Sequence, residues 1–350
     1  MVALHKFLSP TIEKIYQQRE STQSTQYIET IPTGMAGDRC LRAMWYDFRF
    51  CEQFGNDAIA LRSDDLHKSI KAMVINELSS VGCHVSEVDQ RNGKPWSVSE
   101  YAGHLTGVLD GIVESGIDEA PSKPHVLKVI SIGVNQFSQV KTAGMEKAMP
   151  YHFSGVQADM FLIDIDRTFV VFHCNDNGEL FAERVKLDQE KAKFFIDRTG
   201  QVLTSDSPPV GISDNKESSA CKTCYMKDVC HNSYMVKPTC RSCVHATCEM
   251  EKGGWSCSKW NCAIPFEGQI QGCGSHLYNP CFMQGWEVID ANDAEQWVRY
   301  KQGDKELTNA VDKKHGYTSS NLYSCPPELI DDANIFELMD RFDAEVVKSC

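Results

Sequence analysis

His125-Val-Leu-Lys-Val-Ile-Ser131 is a short β-branched run entered from Pro121 and Pro124. Between such chain breakers it reads as a central strand. Upstream, glycines 103, 107 and 111 punctuate a strand–turn–strand piece from Gly103 to Val113, with Asp110 in it. Downstream, Met145 to Ile165 reads as helix. Arg167-Thr-Phe-Val-Val-Phe-His-Cys174 and Glu179-Leu-Phe-Ala-Glu-Arg-Val-Lys186 flank Asn-Asp-Asn-Gly, which is strong hairpin chemistry. A helix from Asp188 to about Leu203 follows. Toward the N-terminus, Ser9 and Pro10 mark a helix start, and further helices are expected over Arg39–Phe50 and Asp64–Val81. Helices alternating with few strands predict a three-layer α/β core to about residue 203. The Ser/Pro/Asp-rich stretch 204–219 reads as a linker.

The rest of the composition narrows the classes. The chain has 350 residues with a formal charge of −13. That sign excludes a protein coating nucleic acid by bulk attraction, while leaving room for local basic grooves. No apolar run approaches the ~18–20 residues of a membrane span, and the first residues lack a hydrophobic signal core. A cytoplasmic location and no membrane partner are therefore expected. From residue 286 onward, 14 Asp or Glu face 7 Lys or Arg, so an acidic C-terminal segment is expected, a solvated face or a partner-binding tail.

Cysteine usage is uneven. Of 16 cysteines, 10 fall between Cys221 and Cys281. In a reducing compartment such density points to metal rather than disulfides. Cys221-Lys-Thr-Cys224 and Cys230 supply three thiolates, with Cys40 the candidate fourth, a soft set that fits an iron–sulfur cluster or zinc. Cys240-Arg-Ser-Cys243 with Cys257 and Cys273 reads as a zinc ribbon or knuckle, with His245 and His276 as alternates. Some of Cys248, Cys262 and Cys281 are expected to be simply free thiols. The expected division is 1–235 as the α/β core with the first thiol set, 236–285 as a cysteine-rich zinc module, and 286–350 as the acidic segment.

Cys40 with Cys221, Cys224 and Cys230 around an α/β core resembles the iron–sulfur nucleases of the PD-(D/E)XK superfamily. The likeness is to AddB-like and, most closely, phage-encoded RecB-like exonucleases. Four more stretches carry the resemblance: Leu8-Ser-Pro-Thr-Ile-Glu13, Gly107-Val-Leu-Asp110-Gly111, Glu119-Ala-Pro-x3-His125-Val-Leu, and Pro150-Tyr-His-x4-Gln157-x2-Met160. The resemblance spans roughly residues 8–280. It implies a PD-(D/E)XK nuclease-like fold, a 4Fe-4S cluster (or zinc) on the first thiol set, and phosphodiester hydrolysis with Mg²⁺ or Mn²⁺ held by carboxylates. Asp110 matches the metal-binding Asp. The following strand, however, has Lys128 where the family carries Glu, and Ile130 where it carries the catalytic Lys. The upstream helical Glu falls near Lys71 or Ala72, and the Gln-x3-Tyr motif is Gln157-x3-Phe161. Glu replaced by Lys changes the local charge by two units, worth several kcal/mol even at an effective dielectric of about 20. The usual metal site should fail, leaving Lys128 to pair with Asp110.

The resulting expectation is a pseudonuclease in viral DNA replication, recombination or host takeover. Lys128, Lys141 and Lys147, with Lys71 as a further candidate, would neutralise phosphates. The main alternative is an active exonuclease with relocated residues, drawn from His104, Glu114, Asp118, Glu119, Asp159 and Lys141. His104 is expected to be structural, and Asp159, two positions after Gln157, to turn about 200° away from it on a helix. A third possibility is an inhibitor or subunit that binds a replication, recombination or host protein.

Overall fold

The computed structural model describes residues 9–22, 27–37, 40–52, 57–232, 234–325 and 333–342. Leu8, Arg39 and parts of the acidic C-terminal segment (326–332 and 343–350), on which expectations were placed, lie outside the described residues.

The chain opens with α1 (Pro10–Ser21), β1 (Ile31–Pro32), α2 (Leu41–Phe48) and the long α3 (Ala58–Ser80). α3 begins earlier than the sequence suggests because Asp57 Oδ1 accepts from Ala60 N at 2.7 Å, capping an orphan donor. Next come β2 (His84–Ser86), the short pair β3 (Val88–Asp89) and β4 (Lys94–Pro95), β5 (Ser97–Glu100), β6 (Leu105–Val108), β7 (Gly111–Ser115) and β8 (His125–Ile132). The strand–turn–strand piece is real, but its two arms join different sheets. β6 lies between β1 and β5, whereas β7 pairs with β8. Asp110 sits at the fork.

Helices α4 (Val134–Ala143), α5 (Met145–Ala148) and α6 (Pro150–Ile163) then lead to β9 (Arg167–Cys174) and β10 (Leu180–Lys186), followed by α7 (Gln189–Thr204). The expected single helix from 145 divides at Pro150, which stands in the first turn of α6 where its missing N–H costs nothing. The main sheet runs β10-β9-β8-β7-β2, with β8 and β9 parallel and the other neighbours antiparallel. A parallel pair needs a crossover, and α4–α6 provide it.

Alternation along β8 builds both faces of the sheet. Leu127 and Val129 pack with Ile70 and Val74 of α3. Val126, Ile130 and Ile132 pack with Phe153, Val156 and Met160 of α6. The result is helix, sheet and helix in three layers.

Residues 205–218 contain no helix or strand, and the short α8 (Ser219–Lys222) and α9 (Lys227–His231) follow. Beyond them, β11 (Ala246–Cys248), β12 (Trp255–Cys257) and β13 (Cys262–Ile264) form a small antiparallel sheet, trailed by α10 (Phe266–Gln271). A second antiparallel meander, β14 (Glu287–Asn292), β15 (Trp297–Gln302) and β16 (Lys305–Ala310), lies in the segment expected to be acidic, with its second turn at Gly303-Asp304. Helices α11 (Ser319–Ser324) and α12 (Ala333–Phe342) end the described chain. No helix among the described residues is long and apolar enough to cross a membrane.

One hydrophobic cluster joins distant segments, from Ile31, Met44, Trp45 and Phe48 to Trp255, Tyr278, Tyr300 and Leu322. Arg241 lies at its centre, 1% exposed. Its guanidinium stands 3.9 Å from the Phe50 ring centroid and donates to Phe48 O (2.8 Å), Glu29 O (2.9 Å) and Gln269 Oε1 (2.8 Å). Burial pulls its pKa down to about 9, with Cys248 and Glu29 opposing.

Candidate functional site

Asp110 follows β6 and precedes β7, and its Oδ2 accepts the Val129 N–H at 2.9 Å, which pins the turn to β8. Lys71 Nζ, from α3, lies 3.5 Å from Oδ1, and Lys128 Nζ, from β8, lies 3.8 Å from Oδ2. One carboxylate thus faces two ammonium groups. The Asp110 side chain is 10% exposed and the two lysines about 30%, so the cations, not the carboxylate, meet solvent.

Two histidines adjoin this trio. His67 precedes Lys71 by one helical turn, on the same face. Its Nδ1 is 2.9 Å from Ser131 Oγ of β8. Its pKa is lowered by burial, with Lys128 and Lys71 adding to the shift and Asp110 opposing it. His152, in the first turn of α6, has an exposed surface. Partial burial of its ring, then Lys128 and His67, lower its pKa as well.

Asp159 is also at hand. It is 6% exposed and accepts from Thr33 Oγ1 at 2.7 Å. Burial raises its pKa to about 6, against the Thr33 hydrogen bond and Lys128, with Asp110 adding a small push upward. Gly107 makes room for this contact: a Cβ there would lie 2.5 Å from Asp159 Oδ1 and 2.6 Å from Thr33 Oγ1.

Gln157 and Asp159 do point different ways, and it is Asp159 whose pKa Lys128 and Asp110 influence. Gln157 is fully buried, donates to Lys186 O (2.9 Å) and accepts from Asp188 N (2.8 Å), tying α6 to the end of β10. Ile130 belongs to the core under α6. Lys141 pairs with Glu179 across the β9–β10 hairpin end, and Lys147 is exposed on α5. Glu114, Asp118 and Glu119 are exposed beyond the fork, with Glu114 lining a groove of about 750 Å³ along β2. His104 is buried, its Nε2 3.1 Å from Glu249 O and 3.4 Å from Cys248 Sγ, with Phe48 edge-on to its ring. Those contacts are a structural histidine's.

A divalent hard cation does not fit this arrangement. Mg²⁺ and Mn²⁺ need several oxygen ligands. Asp110 is neutralised twice over, and Asp159 is bonded to Thr33. Among the described residues no group of three or more His, Cys, Asp or Glu has metal-binding geometry.

That last statement covers the cysteines too, whose thiols surround small cavities. Cys40, Cys221, Cys224 and Cys230 line one of about 30 Å³. Burial raises the Cys224 pKa, with Cys40, Cys230 and Cys221 adding to it. Four cysteine sulfurs around one cavity are the donor type that zinc or an iron–sulfur cluster takes. Residues 209–214 close over the cavity. Ile212 N donates to Cys40 Sγ at 3.4 Å. Arg42 Nε donates to Pro209 O at 3.0 Å, and its Nη1 reaches Cys230 Sγ at 3.7 Å and Asp214 Oδ1 at 3.4 Å. The stretch expected to be a linker is therefore a strap.

Cys240, Cys243, Cys257 and Cys273 line a second cavity of about 20 Å³, together with His245 and His276. Burial, then Cys243, Cys273, Cys257 and Cys262, pushes the Cys240 thiol up to about 12. Cys262 lies directly across from Cys257 on neighbouring strands, so it belongs to the same neighbourhood. His276 Nε2 is 3.1 Å from Ser242 Oγ, while its buried Nδ1 has no hydrogen-bond partner among the described residues. That orphaned nitrogen fits a ligand role for His276 as well as for a thiol.

The sequence did not single out His67 or Thr33, and His152 stood in the Pro150-Tyr-His stretch with no role assigned. The signal for His67 was its spacing of four from Lys71 on a predicted helix. Thr33 carried none, because its contact with Asp159 spans 126 residues.

No family model and no curated protein matches this sequence. Among solved structures, the chain is similar to SSO0001 with a TM-score of 0.36 and 15% identity, over 63% of this chain and 96% of that one. An alkaline exonuclease from Laribacter hongkongensis, LHK-Exo, matches with a TM-score of 0.32 and 12% identity over 54% of this chain and 92% of its own. The same exonuclease in complex with dAMP gives a TM-score of 0.31 and 13% identity over 54% and 94%.

Proposed function

We propose that this chain is a pseudonuclease of the PD-(D/E)XK type, a DNA-associated factor that does not cut, serving viral DNA replication, recombination or host takeover. The observation that carries the reading is the double pairing of Asp110 with Lys71 and Lys128. The resemblance calls for a carboxylate near the metal at Lys128, and for another near Lys71 or Ala72. A metal site concentrates negative charge. Here the exchange leaves one carboxylate between two half-exposed cations, which suits a phosphate and opposes a metal ion.

In this reading the thiol sets are braces. Cys40, Cys221, Cys224 and Cys230 would hold an iron–sulfur cluster, or zinc, and Cys240, Cys243, Cys257 and Cys273 would hold zinc, with His276 in reserve. The first set draws together segments far apart in the chain, Cys40 at the start of α2 and Cys221, Cys224 and Cys230 beyond α7.

The test pairs a cleavage assay with a binding assay on protein purified anaerobically. With Mg²⁺ or Mn²⁺, single- and double-stranded DNA should survive intact. Binding should weaken with salt and fall about tenfold or more in Lys71→Glu/Lys128→Glu. Cleavage that disappears in Asp110→Ala would overturn the proposal.

A further inference from the structure

Three elements bring basic groups together: α3 contributes Lys71 on Asp110 and His67 against Ser131 of β8, β8 contributes Lys128 on Asp110, and α6 contributes His152, whose charge Lys128 and His67 influence. We propose that these four side chains form a cradle for a phosphoryl group. This deepens the DNA-associated reading and rests on it for the origin of that group, as part of a nucleic-acid backbone or end.

The charge balance argues for the histidines as much as for the lysines. The titratable groups of this cluster are Asp64, His67 and Lys71 on α3, Asp110 in the turn, Lys128 on β8, and His152 and Asp159 on α6. With both imidazoles neutral, Lys71 and Lys128 are largely cancelled by Asp110 and whatever charge Asp159 carries. An incoming phosphoryl anion would then find almost no net charge. Protonating His67 and His152 adds two units where the anion sits.

Burial first, and then the lysines nearby, lower the pKa of both rings, with Asp110 and Asp64 opposing at His67. A phosphoryl oxygen beside them reverses that shift, because an opposite charge within ~4–6 Å favours the cation. Anion binding therefore takes up protons. Affinity rises as pH falls, by up to about tenfold per pH unit for each histidine that becomes protonated. Asp159, losing its charge near pH 6, acts in the same direction. Asp159→Asn separates its share.

The experiment has two arms at constant ionic strength. In the first, a rhodamine-labelled oligonucleotide is titrated with the full-length protein between pH 5.5 and 8. Affinity should climb toward acid pH, and the slope should flatten in His67→Gln/His152→Gln, whose fold is checked by circular dichroism. In the second, the imidazole resonances of the wild-type protein are followed against pH in chloride and in inorganic phosphate. Both histidine pKa values should rise by about one unit in phosphate. DNA binding with a flat pH profile and unmoved imidazoles overturns the cradle and leaves DNA association standing. Imidazoles that respond to phosphate in a protein that does not bind DNA leave the cradle standing and remove DNA association. Failure of both arms removes both.

Discussion

Asp159 shows at the scale of one residue how position misleads when read along the chain alone. Its spacing from Gln157 was legible, but not the buried hydrogen bond that holds it, because Thr33 lies 126 residues away. Lys128 as a partner for Asp110, by contrast, was expected from the sequence, and Lys71 was a candidate beside it. What the sequence could not show was that both ammonium groups reach one carboxylate. Reversing them gives a prediction: Lys71→Glu/Lys128→Glu surrounds Asp110 with like charge and should cost about 1–3 kcal/mol of stability. Mn²⁺ should restore part of that loss, read as a metal-dependent rise in Tm absent from the wild type. Asp159 carries a second prediction. Its folded pKa of about 6 lies above the ordinary 3.8, so the native state holds its proton longer than the unfolded chain does. The contribution is full below about pH 4 and is lost as pH rises through 6. Asp159→Asn, which keeps the oxygen that accepts from Thr33, should raise stability near pH 7 by about 2–3 kcal/mol and flatten Tm between pH 4 and 7.

Among the elements, local chemistry was the better guide. The β9–β10 hairpin, the α7 helix and the β8 strand were legible because turn residues and alternation mark them within a few positions. The separation of β6 from β7 was not, since a continuous strand pattern does not say which sheet each arm joins. Gly107 belongs to that separation. Gly107→Ala should destabilise by about 1–3 kcal/mol, seen as a lower denaturation midpoint, because its methyl meets Asp159 and Thr33. The segment 204–219 was misjudged for another reason. Ser, Pro and Asp do mark irregular backbone, but irregular backbone can still be held, here by Arg42 and by the Cys40 sulfur. Arg42→Ala should loosen residues 209–214, increasing the rate at which thiol reagents reach Cys40 and Cys230 several-fold. Far-UV circular dichroism should stay unchanged, because that stretch holds no helix or strand.

For the whole molecule, the centre of gravity is Arg241. Its donors meet carbonyls of the N-terminal segment and an amide of α10, inside a cage of Phe48, Phe50 and Trp255. Arg241→Met should cost about 3–5 kcal/mol in chemical denaturation, because it strands buried acceptors around the cage. Composition could not have announced this, since one arginine among 350 residues carries no periodicity. The same bond sets a schedule for birth. Phe48 and the guanidinium that closes over it are 193 residues apart. At about 5–20 residues per second of synthesis, the apolar side chains of α2 leave the ribosome on the order of 10–40 seconds before their cover exists. Through that interval the nascent chain carries Met44, Trp45 and Phe48 bare, so its yield in a cell should track the supply of chaperones that shelter unfinished polypeptides.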